Sequence, residues 1–152
     1  MNLRCGLRLQ VKENSMIKGI GTDIAAIGRI REMIQKYGDH FLRKIFTDTE
    51  IDLCNRKADA AVHFTGRWAA KEAFYKALPI SCQPLSSWKD IQIVALSGSG
   101  RPVIEVCGDR LRERIAREAI STFHVSISHE DEYCIGFVVT EMGESAGTGG
   151  RY

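Results

Sequence analysis

The chain reads as one α+β domain of mixed helices and short, mainly antiparallel strands, and three observations predict this class. Apolar residues recur at both helical and alternating spacing without strict strand–helix alternation. Two pairs of strand-like runs, 91–96 with 103–106 and 123–127 with 133–140, are each joined by a short polar or Gly-rich link, as antiparallel hairpins are. Finally, 152 residues suffice for one sizeable core and not for two ordinary ones.

Composition narrows the class further. A hydrophobic fraction of 44% with 26% charged residues is that of a soluble globular protein. No apolar run approaches the ~20 residues of a membrane span, so no membrane association is expected. A net charge of +2 is too weak to argue for a nucleic-acid partner. The five cysteines, Cys5, Cys54, Cys82, Cys107 and Cys134, are scattered, without a Cys-x-x-Cys pair or a histidine at zinc spacing. Reduced thiols in a cytoplasmic protein are the expectation.

Along the chain, residues 1–15 read as an extension upstream of the natural start, with the alternation of Leu7, Leu9 and Val11 leaving an added strand as the alternative. The domain proper spans 16–142. Residues 16–20 form a short strand, ended by a turn at Gly21-Thr22-Asp23 that leaves Asp23 at the strand end. Ile27, Ile30, Met33, Ile34 and Tyr37 recur at helical spacing with a largely basic outer face, and Gly38 is the expected stop. Thr47 with Glu50 is a capping box opening a helix to about Lys57. The longest helix spans 59–78, rich in Ala, Phe, Lys and Glu and stopped by Pro79. After polar punctuation comes the first hairpin, then a helix capped by Asp109 with Leu111, Ile115, Ala116, Ala119 and Ile120 on one face, then the final strand pair. Residues 143–152 are Gly/Ser-rich and are expected to be a flexible tail.

Three clusters hold residues capable of chemistry: Gly19-Ile-Gly-Thr-Asp23, Gly66-Arg-Trp-Ala-Ala-Lys-Glu-Ala-Phe-Tyr-Lys76 and His124-Val-Ser-Ile-Ser-His129. On the long helix Lys71, Glu72 and Lys76 can reach one end of a shared pocket. Magnesium takes one or two protein carboxylates while substrate phosphates and waters complete its octahedron, a role open to Asp23 and Glu72. Simpler readings stand beside these. Glu72 and Lys76 form the favoured i,i+4 ion pair, worth ~0.2–0.5 kcal/mol when exposed. The short glycine motif is most often a turn, His129 a surface residue, His124 a structural one, and Arg29, Arg31 and Lys36 a solvated face.

Together and in this order, the clusters resemble one family. Gly19-Ile-Gly-Thr-Asp-Ile24, Arg29-Ile30, Ile45-Phe-Thr-Asp-Thr-Glu50, Gly66-Arg-Trp-Ala-Ala-Lys-Glu-Ala-Phe-Tyr-Lys-Ala77, Trp88-Lys-Asp-Ile91 and Val125-Ser-Ile-Ser-His129 are similar to the holo-acyl-carrier-protein synthases, the small 4'-phosphopantetheinyl transferases. The likeness covers about 16–141, and the long-helix motif is its most specific part. It implies that the phosphopantetheine arm of coenzyme A passes to a serine of an apo acyl carrier protein, releasing adenosine 3',5'-bisphosphate. It also implies Mg2+ held by Asp23 and Glu72, with Lys76 at the leaving phosphate. Arg67, Lys71, Lys76, Ser126, Ser128 and His129 would hold coenzyme A, and Arg29 and Lys36 would face the acidic carrier. A cytoplasmic homotrimer with sites between subunits follows from the same likeness. The chain departs from the family pattern at Pro79-Ile80-Ser81-Cys82, where a Gly-containing turn is common, and at Cys134-Ile135. Two other readings remain: a magnesium-dependent nucleotide pyrophosphate hydrolase, and a non-catalytic carrier-binding module.

Overall fold

The computed structural model describes residues 16–83 and 85–143. The segment 1–15, with Cys5 and the Leu7-Leu9-Val11 alternation, and the stretch beyond Gly143 lie outside the described residues. In chain order the elements are β1 (Met16–Ala26), α1 (Ile27–Ile45), α2 (Asp48–Asn55), α3 (Ala60–Ala77), β2 (Ile91–Ala95), β3 (Pro102–Val106), α4 (Asp109–Arg117), β4 (Ile120–His129) and β5 (Tyr133–Met142), with single 3-10 turns at Ile80–Cys82 and Trp88–Asp90. A three-stranded antiparallel sheet of order β1-β5-β4 packs against α3, and β2-β3 form a separate hairpin. The α+β class expected from the sequence is the class observed.

The long helix sits where it does because both sides of the contact are small. Ala69, Ala70, Ala73 and Ala77 line the face of α3 turned to the sheet, all of them buried. Opposite them stand glycines. A Cβ at Gly21 would lie 1.9 Å from Ala73 O, one at Gly19 2.0 Å from Ala77 O, and one at Gly136 2.5 Å from the Ala69 backbone. No side chain fits at such separations, so helix and strand backbones approach as closely as they do only with glycine there. The Gly19-x-Gly21 pair is therefore a packing device within a strand.

That finding corrects the first expected boundary. β1 does not end at Gly21; it continues through Asp23, which pairs with Gly136, to Ala26 opposite Tyr133. Asp23 thus projects from the middle of a paired strand. The helix expected to stop at Gly38 instead resumes beyond it. Gly38 takes φ 50°, ψ −135°, a kink between two helical stretches, and burial of Leu42 and Phe46, 5% and 0% exposed, anchors the second one. Thr47 and Glu50 form the expected capping box, with Thr47 N–H donating to Glu50 Oε2 at 2.9 Å. At α4 the cap position is Gly108, and Asp109 lies in the first turn, where its carboxylate accepts from Arg112. The helix ends before Ala119, whose φ of 54° starts the turn into β4, so Ile120 belongs to a strand.

Two larger apolar clusters result among the described residues, beside a small one of Ile27, Ala61 and Cys134. One, between α3, the sheet and α4, holds Phe74, Leu78, Ile91, Leu111, Ile120 and Val138. The other, beneath α1 and α2, holds Ile30, Leu42, Phe46, Cys54 and Phe64, with the Phe46 and Phe64 rings 4.9 Å apart. Burying each such ring contributes roughly 1.5–3 kcal/mol. The four described cysteines are free, and burial pushes the Cys54 thiol up to about 11, which makes it unreactive.

Candidate active site

Asp23 leaves β1 on the side facing α3, the same side as Gly21 and Gly19. Lys76, one turn beyond Glu72 on α3, reaches back to it. Its Nζ donates to Asp23 Oδ1 at 2.8 Å and to Thr22 O at 3.1 Å. Glu72 is close enough that the Asp23 charge raises its proton affinity. Burial pushes the Glu72 carboxyl up first, Asp23 adds to this, and Lys76 opposes it. Two carboxylates 49 positions apart in sequence are thus held together against their mutual repulsion, between the edge strand β1 and a rigid helix.

Both carboxylates line one cavity of about 540 Å3, walled by Arg29, Ile30 and Met33 from α1, Phe41 and Ile45 beyond the kink, and Trp68 from α3. Arg29 is exposed at its rim. Lys36 lies seven residues further along α1, with its ammonium 5.1 Å from the centre of the Tyr37 ring. Trp68 in turn packs edge-on against Trp88 at 4.9 Å, which fixes that wall.

Lys71 corrects the sequence reading. It does not reach the cavity of Asp23 and Glu72. Its side chain is fully buried, as is Glu50's, and the two form an ion pair of 2.8 Å. Lys71 Nζ also donates to the carbonyls of Ile45, Trp88 and Ile91 at 2.8–2.9 Å. Burial pushes its ammonium down while Glu50 pulls it back up. One helical position separates Lys71 from Glu72, and that ~100° rotation turns the first inward and leaves the second in the cavity.

Arg67 and His129 lie on another side of α3, in a second cavity of about 240 Å3 bordered by the β2-β3 hairpin. Arg67 Nε donates to Ile93 O at 3.0 Å, which braces the guanidinium against the hairpin. Lys57 and His63 line the same cavity, and neither stood out in the sequence as a binding residue. Ser126 and Ser128 alternate with Val125 and Ile127 along β4 and are exposed on the sheet face away from α3. Within one chain the predicted residues therefore divide: Asp23, Glu72, Lys76 and Arg29 are together, Arg67 and His129 are together elsewhere, and the two serines are on a third surface.

Asp23 and Glu72 are hard oxygen donors of the kind a divalent cation takes, with the Lys76 ammonium already on Asp23. Among the described residues no group of three or more His, Cys, Asp or Glu that could hold a metal ion occurs.

Known proteins resemble this chain in sequence and fold. Residues 19–138 match the model of the 4'-phosphopantetheinyl transferase superfamily. A holo-[acyl-carrier-protein] synthase of Halothermothrix orenii is 39% identical over 129 residues, covering 84% of this chain and all of that protein. The crystal structure of the Neisseria meningitidis holo-[acyl-carrier-protein] synthase superposes with a TM-score of 0.74 at 32% identity, over 82% of this chain and 98% of the other. The Helicobacter pylori synthase, solved in complex with coenzyme A, gives a TM-score of 0.65 at 30% identity over 80% of this chain and 98% of the other. The chain accordingly belongs to the holo-[acyl-carrier-protein] synthases of the 4'-phosphopantetheinyl transferase superfamily.

Proposed function

We infer that this protein transfers the 4'-phosphopantetheine arm of coenzyme A to a serine of an apo acyl carrier protein. The observation that carries the reading is the Asp23–Glu72 pair with Lys76 bound to Asp23, set in one cavity beside a basic rim. In the reaction the serine oxygen forms a bond to the phosphorus that bears pantetheine, and the bond from that phosphorus to the bridging pyrophosphate oxygen breaks. Adenosine 3',5'-bisphosphate leaves with that oxygen, and the serine proton passes to a base.

The chain's own groups divide the work. Lys76 lies where its ammonium can offset charge on the departing phosphate, which is where electrostatic stabilisation acts in phosphoryl transfer. Glu72 or a water held at the metal would accept the serine proton. Asp23 and Glu72 would together hold Mg2+, which when bound supplies Lewis acidity and a template for the pyrophosphate oxygens. Arg67 and His129 would hold the nucleotide phosphates.

The two cavities open on different sides of α3, so one coenzyme A molecule is best spanned by two copies of the chain. A homotrimer with sites between subunits is what the family resemblance implies, and the outer face of the sheet supports contact between copies. There Ile20, Ile24, Ile135 and Phe137 remain 44–62% exposed, an apolar face that another copy could cover. Ser126 and Ser128 on that same face would then lie near a neighbouring copy. The free, largely buried cysteines fit a cytoplasmic setting.

Incubation with coenzyme A, magnesium and an apo acyl carrier protein, followed by mass spectrometry, should add one phosphopantetheine mass to the carrier. A carrier of unchanged mass alongside adenosine 3',5'-bisphosphate release would instead favour the hydrolase reading. Arg29→Glu should raise KM for the carrier about tenfold at low ionic strength with little change in kcat, because a rim charge steers association. Equal salt dependence in variant and parent would make Arg29 a solvated residue only.

A further inference from the structure

The second cavity has a property that the transfer chemistry does not use. Its lining carries Lys57, His63, Arg67 and His129, and no carboxylate. His63 is the half-buried imidazole among them. The groups facing it are Arg67 from the next turn of α3, Lys57 from the link before that helix, His129 from β4 and, with opposite sign, Asp59 at the start of α3. Asp59 is already engaged by Arg31 through two hydrogen bonds of 2.9 and 3.2 Å. From β5 comes only the Cys134 thiol, itself pushed up by burial, and the hairpin side supplies Ile93, Val94, Ala95 and Pro102. Burial lowers the proton affinity of His63, and Arg67, Lys57 and His129 lower it further, so in the free protein at neutral pH the imidazole is largely uncharged. A phosphate dianion entering this cavity reverses the sign of the local field.

We propose that His63 makes occupation of this cavity by a nucleotide phosphate proton-linked: as the dianion enters beside Lys57, Arg67 and His129, the imidazole takes a proton from solvent and becomes a fourth cation on it. The proposal rests on the coenzyme A reading above and deepens it, since it adds a residue and a pH dependence to the nucleotide half of that substrate. No covalent bond changes; one proton moves from water or buffer to the ring.

Titration calorimetry with adenosine 3',5'-bisphosphate, run at pH 7 in two buffers of different ionisation heat, counts the protons. The wild type should take up about half a proton per site, and its affinity should fall about twofold between pH 7 and 8, the uptake fading over that interval as the ring loses its proton in the complex as well. A phosphomonoester, with its own second pKa near ~6, would release a proton on entering a cationic site. The sign of the exchange therefore separates histidine uptake from ligand ionisation. His63→Gln should abolish uptake and flatten the pH dependence while binding at pH 8.5 stays within about twofold of wild type, where the imidazole is neutral in any case. Unchanged uptake in His63→Gln, or its loss in His129→Gln alone, would overturn the assignment to His63. Absence of bisphosphate binding with carrier transfer intact would overturn the cavity as the subsite, and loss of transfer as well would overturn the parent reading.

Discussion

Replacing Lys71 with methionine should destabilise the protein by about 3–5 kcal/mol, the usual consequence of removing one partner of a buried ion pair. For a domain whose whole stability is of order 5–15 kcal/mol, such a loss approaches unfolding at 37 °C. The size follows from what is left behind. Glu50, with no exposed surface, would keep its charge in the core. It would still accept from Ile93 N–H at 2.8 Å and Thr47 N–H at 2.9 Å, but no cation would face it. The carbonyls of Ile45, Trp88 and Ile91 would each lose their ammonium donor. Elsewhere, exchanging a buried ion pair for apolar residues of similar volume is often neutral. Here it should not be, because Lys71→Met with Glu50→Leu removes both charges and still strands three carbonyls and two N–H groups of the main chain. Urea melts of the two variants measure this directly. Recovery of wild-type stability in the double variant would mean that the network has little net worth.

Why this network was illegible in the sequence, while other features were plain, comes down to the range of the interaction. The Thr47–Glu50 capping box is closed within four residues, so its chemistry is local and the pattern suffices. The two hairpins and the long helix are likewise set by spacing. The Thr47 partner of Glu50 was legible and its other partners were not, because Lys71, on the same Oε2, and Ile93, on Oε1, lie 21 and 43 positions away. Gly19 and Gly21 misled for the same reason. A glycine pair after a short apolar run signals a turn when nothing is known of what packs on it, and α3 is what requires these two. Gly38 behaved in the opposite way. Its helix-breaking conformation was legible, but the burial of Leu42 and Phe46 that restores the helix was not. In the site, Asp23, Glu72 and Lys76 could be named from their motifs. His63 and Lys57 could not, because only the fold brings them beside Arg67 and His129.

Asp23→Asn and Glu72→Gln should each lower carrier modification roughly 10³-fold or more, about 4 kcal/mol of lost transition-state stabilisation, yet their effects on stability should differ in sign. The folded-state Glu72 carboxyl binds its proton more tightly than an unfolded one. The stability linked to it is therefore complete below the ordinary carboxylate range and is lost as pH rises through the raised folded value. Glutamine carries no such loss. In chelator at neutral pH, Glu72→Gln should melt above the wild type, and the difference should close as the pH falls towards the carboxylate range. Magnesium should raise the wild-type melting temperature and leave that of the variant almost unchanged, since a ligand stabilises only the form that binds it. Asp23→Asn relieves the same repulsion but gives up the charge paired with Lys76 at 2.8 Å, and it should melt at or below the wild type. A simple helix ion pair between Glu72 and Lys76 predicts the reverse for Glu72→Gln: a small loss of stability, no magnesium effect in either protein and transfer near wild-type rates. The Glu72→Gln melt, taken with and without magnesium, thus decides whether the two carboxylates are held together for a cation or only happen to be neighbours.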